Sequence, residues 1–599
     1  MDLPDILQSL QICGGPEGGS PISRDCPSLA VVKVLSQIKD LFQAEASPRT
    51  KEDILKSIQH LLATGDSHWL FSDCCSNEGT SVRRVYLDLT SALTQYAALS
   101  PCETDSGELP SSSYALIPQK AVKVSAVLLS LIKRLEDSKD LVSCGRAATP
   151  VKSLALRLMP SLFAFAVMHS QDQPWTSTQS KQAAGELLSA TIQAAGCTSA
   201  AELLCGKSRD DDSGILGSVL EMLKPELKKD TWMRNQATKH IFSWTLTQVS
   251  RPWLSEFLDR VFPPSLLFSD DYRTENEVLG VHCLRHIILN VPAADLRQYN
   301  RAEVLYHALF KHLYKSDMQL IEAVLPCLLD LLSVLEKPPS NTDAPRKSNR
   351  YDEVLRLFLT HMEMEHKIAL RRVYARNLPI FISRLGIVTV RHLKRLERVI
   401  VGYLEVYDGP EEEARLCVLE ALEKTIQHAW PRMKSRINVL LKTLLRLLYD
   451  VATDLSPTPP AVREELMKRT THCLILLDHS CQGTLKVLLK DVDSSCTHIR
   501  VLECIEQVQQ QDTPLASQSH YLHPVAQGLY QKHGLGNYRY HHTETQKQKP
   551  SHTCSTTSPA THPRPPAPRV KYTVQNCAVN ILYFQRLQMM QQNFCSCSK

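Results

Sequence analysis

Along residues 411–430 the apolar side chains Leu419, Leu422, Ile426 and Trp430 recur every three or four positions, which aligns them on one face of a helix. The following stretch repeats the stripe with Ile437, Leu441, Leu444 and Leu448, and Pro431 between them predicts a break. Asp408-Gly409-Pro410 ahead of Glu411, Glu412 and Glu413 predicts a helix start. Proline tolerates the first helical position, and carboxylates favour the positive end of the helix dipole. A short loop between two such helices makes them antiparallel neighbours.

This hairpin recurs. Comparable openings begin near residues 274, 317, 364, 410 and 460, a step of roughly 43 to 50 residues against the 40–47 of HEAT or armadillo repeats. Such a unit cannot bury its apolar face alone, so it stacks on its neighbours. Residues 28–43, 51–63, 81–99, 119–136, 150–168, 181–195 and 230–262 also carry helical patterning, and no run alternates as a strand would. The expected fold is all-α, a HEAT/armadillo-like solenoid. It divides into an N-terminal helical region (1–229), a HEAT-like repeat region (230–510) and a disordered tail (511–599) rich in His, Gln, Thr, Ser and Pro. Pro326 and Pro379 fall inside helical patterns and are expected to bend or split their helices.

Composition narrows the function classes. The 63 acids nearly balance 68 bases, leaving a net charge of +5, too even for a dedicated nucleic-acid binder. The 19 cysteines include no CxxC pair, and Cys283, Cys327, Cys417 and Cys473 lie in apolar helical stretches, where they serve as small hydrophobes. The start, MDLPDILQSL, has no basic and apolar secretory pattern. The most apolar windows, 121–132 and 154–168, read as shorter than a membrane span and contain Lys123 and Arg157. A soluble intracellular protein is expected.

Little chemistry stands out. His282 and His286 are spaced as on a zinc-binding helix, but Cys283 occupies the position where HExxH needs its glutamate, so structural histidines are the expected reading. His361 and His366 are five apart and cannot share a metal unaided. Neither a Walker lysine loop nor a GxSxG elbow occurs. The constellation with a binding role is basic. Arg391, Lys394, Arg395 and Arg398 lie opposite an apolar face of Leu393, Leu396, Ile400, Tyr403 and Tyr407, with Arg371, Arg372 and Arg376 on an adjacent helix. A ridge of this kind can receive an acidic segment of a partner, with a solvated face as the plain alternative. Reversing Arg391, Arg395 and Arg398 to Glu is then expected to weaken capture without altering thermal stability.

SLLFSDDYRTENEVLGVHCLRHIILNVP (265–292), with Asp270, Asp271 and Gly280, resembles the entry signature of the Tti-two family, and MEHKIALRRVYARNLPIFISRLG (364–386) extends the match. The resemblance covers about residues 1–510 and leaves the tail out. It implies a non-enzymatic adaptor without cofactor or metal, in the cytoplasm with access to the nucleus. Its implied partners are the first Tti subunit and the Tel-two protein of the Triple-T (TTT) complex. Through them the adaptor would reach the ninety-kilodalton heat-shock chaperone and the phosphatidylinositol-3-kinase-related kinases of target-of-rapamycin and DNA-damage signalling. No nucleic acid or membrane is implied. A nuclear-transport adaptor and, more remotely, a zinc enzyme using His282 and His286 are the alternatives.

Overall fold

The computed structural model describes residues 31–71, 79–102, 109–141, 148–207, 214–336, 348–453, 457–493 and 498–511. The tail expected to be disordered lies outside the described residues apart from Gln511. Among the described residues no strand occurs.

Helices of ten or more residues alternate between two rows. The odd row consists of α1 (Val31–Ala44), α3 (Gly79–Tyr96), α5 (Ala148–Ser170), α7 (Gln236–Gln248), α9 (Thr274–Asn290), α11 (Met318–Leu335), α13 (Ile368–Leu385), α15 (Glu413–Ala429), α17 (Pro460–Ser480) and α19 (Ile499–Gln510). Each packs beside the next, so one row runs from Val31 to Gln510. Between them come α2 (Pro48–Thr64), α4 (Ile117–Leu141), α6 (Thr178–Ala194), α8 (Leu258–Ser269), α10 (Arg301–Phe310), α12 (Arg350–Met364), α14 (Leu393–Leu404), α16 (Ile437–Thr453) and α18 (Thr484–Asp493). The buried apolar side chains form one connected cluster from Val31 to Val508. Helix α11 lies between neighbours and is buried nearly all round, at Leu320, Ile321, Val324, Leu325, Cys327, Leu328, Leu331 and Leu332.

The predicted stripes are where the sequence puts them, with exceptions at their ends. Leu419, Leu422 and Ile426 are buried, as are Ile437, Leu441, Leu444 and Leu448. Trp430 and Tyr407 are instead 49% and 40% exposed, because α15 and α14 end before them. The start predicted at Pro410 moves to Glu413: Gly409 and Glu412 take left-handed backbone, and the Asp408 carboxylate caps the helix by accepting the Ala414 N–H at 2.7 Å. Pro326 and Pro379 do not split α11 and α13, each of which continues as one helix through its proline. The windows read as too short for a membrane sit in longer helices. Ser111–Ser138, Ser153–Ser170 and Met318–Leu335 are each long and apolar enough to cross one, and all three pack against other helices of the stack.

Within α5, His169 is fully buried, its ring 4.7 Å from that of Phe165. Burial pushes its pKa down to about 4 from 6.5. The unfolded chain therefore binds the proton first as pH falls. The stability is complete above about pH 6.5 and is lost towards pH 4. Between pH 7 and pH 5 the wild-type chain should lose about 2 kcal/mol more than His169→Leu in urea unfolding. Parallel losses in the two proteins would contradict this.

Candidate protein-interaction surface

The even row is tied together by arginines that reach back one repeat. Arg350 pairs with Glu303 of α10 at 2.6 Å, Arg391 with Asp352 of α12 at 2.9 Å, Arg395 with Glu363 of α12 at 2.8 Å, and Arg436 and Arg446 with Glu397 and Glu405 after them. The odd row has its own set. Arg285 pairs with Asp330 across α9 and α11, and Arg376 of α13 bridges Glu322 on α11 and Glu413 on α15. Arg372 joins Asp408 and Glu411 in the turn before α15. Where these pairs are exposed, each stabilises by a fraction of a kcal/mol, but together they fix the register between repeats.

Of the arginines marked in the sequence, Arg391, Arg395 and Arg398 all meet acids of α12. Arg391 comes from a short 3-10 segment, Gly386–His392, just before α14. Its partner Asp352 is almost wholly buried and also accepts from His392 Nε2 at 2.7 Å and from the backbone N–H of Asn349 at 3.0 Å. Burial alone would raise the Asp352 pKa, but these hydrogen bonds and the Arg391 charge hold it below the ordinary carboxylate range. Arg395 is fixed on all sides: Nε and Nη2 donate to Glu363, Nη2 also to Thr360, and Nη1 to the Arg356 carbonyl. Arg398 is the outermost of the three, 64% exposed and 3.7 Å from Glu363. Arg371 lies over the Tyr403 ring at 3.8 Å, a cation–π contact. Arg372 and Arg376 are held by odd-row acids, so the two basic groups answer to different sets of carboxylates.

The helical histidine pair is divided by its surroundings. His286 Nε2 lies 2.7 Å from the Val249 carbonyl at the end of α7 and its Nδ1 faces Asn290, whereas His282 is exposed. Among the described residues no three His, Cys, Asp or Glu side chains are grouped as a metal site would require. Cys283 is buried, and burial pushes its thiol up to about 12, leaving it unreactive at neutral pH.

The 265–292 stretch is architectural. Ser269 Oγ meets His312 Nε2 at 3.0 Å, and Asp270 pairs with Lys311. The Asp271 carboxylate, buried, accepts from Asn276 Nδ2 and Arg273 Nε, and Lys239 of α7 donates to Asn276 Oδ1 at 2.7 Å. Gly280 lets α9 press on the backbone at the end of α8, where a Cβ would fall 2.1 Å from the Ser269 nitrogen.

The sequence model of the Tti2 family matches residues 220–407. TELO2-interacting protein 2 of Homo sapiens is 49% identical over 466 residues, which cover 77% of this chain and 89% of the human protein. The chain belongs to the Tti2 family. The Mus musculus protein of the same name is 46% identical over 503 residues, 83% of this Tti2-family chain and 95% of the mouse one. Among solved structures, a Kap95p structure superposes with a TM-score of 0.42 at 11% identity, covering 80% of this chain and 63% of that one, a likeness too distant to bear on function. The residues matched by the Tti2 family model include both the Gly280 joint and the arginine-rich start of α14.

Arg356, on α12, was not singled out by the sequence pattern. It sits one turn beyond Asp352, exposed and facing the same opening as Arg391 and Arg395. The only signal in the sequence was the i,i+4 spacing from an aspartate that doubles as a capping-box residue with Asn349.

Proposed function

We propose that this Tti2-family chain is a non-enzymatic adaptor subunit of the TTT assembly, binding TELO2 and the first Tti subunit. In the cytoplasm, with access to the nucleus, it acts with the ninety-kilodalton heat-shock chaperone in the maturation and stability of phosphatidylinositol-3-kinase-related kinases. The observation that carries this reading is the name borne by relatives at 46–51% identity over most of the chain, which records an interaction with TELO2. A stack of helical repeats supports it, because such stacks offer long surfaces for holding proteins.

The test is co-purification from cells of the tagged full chain. TELO2 and the first Tti subunit are expected in stoichiometric yield, with lowered kinase levels when the chain is depleted. Recovery of Ran and cargo peptides without TELO2 would instead select the transport reading. The main contact is assigned to residues 260–510, with Arg391, Arg395 and Arg398 towards the partner. The ion pairs change one expectation. The triple reversal to Glu sets a new carboxylate against buried Asp352 and removes both partners of Glu363, so melting should fall too, by roughly 1–3 kcal/mol of stability. Arg398→Glu alone separates the effects: capture of the first Tti subunit should weaken severalfold at unchanged melting temperature. Unaltered capture removes that side chain from the interface.

A further inference from the structure

Between α12 and the start of α14 opens a cleft of about 490 Å³ lined by Ser348, Asp352, Arg356, Arg391, His392 and Arg395. Its lining holds three guanidinium groups and one carboxylate. That carboxylate is already occupied: Asp352 Oδ2 takes Arg391 Nη1 at 2.9 Å and the Asn349 N–H at 3.0 Å, and Oδ1 takes His392 Nε2 at 2.7 Å. Arg395 is likewise matched, outside the cleft, by Glu363. Arg356 is different. Among the described residues its exposed side chain makes no ion pair, whereas its backbone carbonyl accepts from Arg395 Nη1 at 3.1 Å and from Thr360 Oγ1 at 2.9 Å.

We infer that this cleft is a docking site for a short acidic segment, rich in Asp and Glu, of a partner protein, with Arg356 as the residue that grips it. Arg391 and Arg395 are held in place by Asp352 and Glu363, so they lose little freedom when an anion arrives. Arg356 supplies the uncompensated charge, in a planar fork that accepts a carboxylate through two parallel hydrogen bonds. A nucleic acid would need a longer basic stripe than one excess guanidinium, and the whole chain carries only +5. The inference rests on the adaptor reading, because a carrier of other proteins is what would present an acidic tail here. It adds to that reading a residue and a ligand chemistry.

The experiment titrates the full chain into a fluorescein-labelled octapeptide of alternating Asp and Glu, and into its Asn/Gln counterpart, by anisotropy in low salt. The acidic peptide should bind and the amide peptide should not, and raising the salt should weaken binding. Arg356→Ala, at a side chain without an ion pair among the described residues, should weaken binding about tenfold at unchanged melting temperature, whereas Lys56→Ala, at an exposed position of α2 outside residues 260–510, should change it less than twofold. Absence of binding by the wild-type chain, or equal binding by Arg356→Ala, overturns the site. Competition by duplex DNA or inorganic phosphate at matched charge concentration overturns it as well, since it would mark a general polyanion effect. TELO2 capture by the same preparation is scored alongside. Capture without peptide binding sinks the cleft alone, and loss of TELO2 capture sinks the adaptor reading.

Discussion

Gly280→Ala should cost this protein about 3 kcal/mol or more, although alanine is the better helix former by about 1 kcal/mol. The Cβ would lie 2.1 Å from the Ser269 nitrogen, 2.6 Å from its Cα and 2.7 Å from the Phe268 carbonyl carbon. All three are backbone atoms, so no side chain can turn aside. Nor can the end of α8 back away freely. Ser269 is bonded to His312, and Phe268, fully buried, packs its ring 5.2 Å from Trp232 and 5.6 Å from Phe242. The strain therefore falls on the joint between α8 and α9. Urea unfolding followed by circular dichroism measures the effect. A stabilised Gly280→Ala protein would mean that the two helices are not in fact so closely apposed.

On the adaptor function proposed above, Leu422→Asp should abolish capture of TELO2 by unfolding repeats, without Leu422 touching any partner. Its side chain is 1% exposed in α15, which packs on α13, α14 and α17. The substitution forfeits roughly 2–3 kcal/mol of burial and places a carboxylate in an apolar site, at a further cost of several kcal/mol. The sum, above about 5 kcal/mol, is comparable to the whole stability of a typical domain. Stacked units share their faces, so damage to α15 reaches the helices on both sides. Glu420→Ala, on an exposed position two residues away, should stay within about 0.5 kcal/mol of wild type. Limited proteolysis is the direct readout, with new cleavage expected across residues 368–510. A Leu422→Asp protein that melts like wild type would show that these repeats are far less coupled than their packing indicates.

The period of the stack was legible in the sequence because it is written in apolar spacing. Helices expected near 274, 317, 364, 410 and 460 begin at 274, 318, 368, 413 and 460. The larger displacements have local causes. At 364 the preceding helix runs on to Met364, and Glu365 turns the chain by accepting the N–H groups of His366 and Lys367. At 410 the capping carboxylate is Asp408, oriented by Arg372 from a helix 36 residues earlier. The binding surface was legible only as charge. Arg391, Arg395 and Arg398 read as a basic face, but Asp352 and Glu363 lie 32 to 39 positions back. Helical periodicity carries no information at that range. Arg356 escaped for the same reason: a lone arginine between apolar residues looks like any solvated side chain until a neighbouring repeat places two more beside it.

The arginine ladder bears on how the chain is made. In the repeats from α8 onward, the bonds that join one repeat to another span short distances along the chain: 36 residues from Arg372 to Asp408, 47 from Arg350 to Glu303, 54 from Cys473 to Leu419. Contacts of such limited reach close small loops, at little entropic cost. Each new helical pair leaving the ribosome finds its partners in the pair that emerged just before it. This half of the molecule can therefore be completed in the order of its synthesis, with no strand or helix waiting for a distant end of the chain.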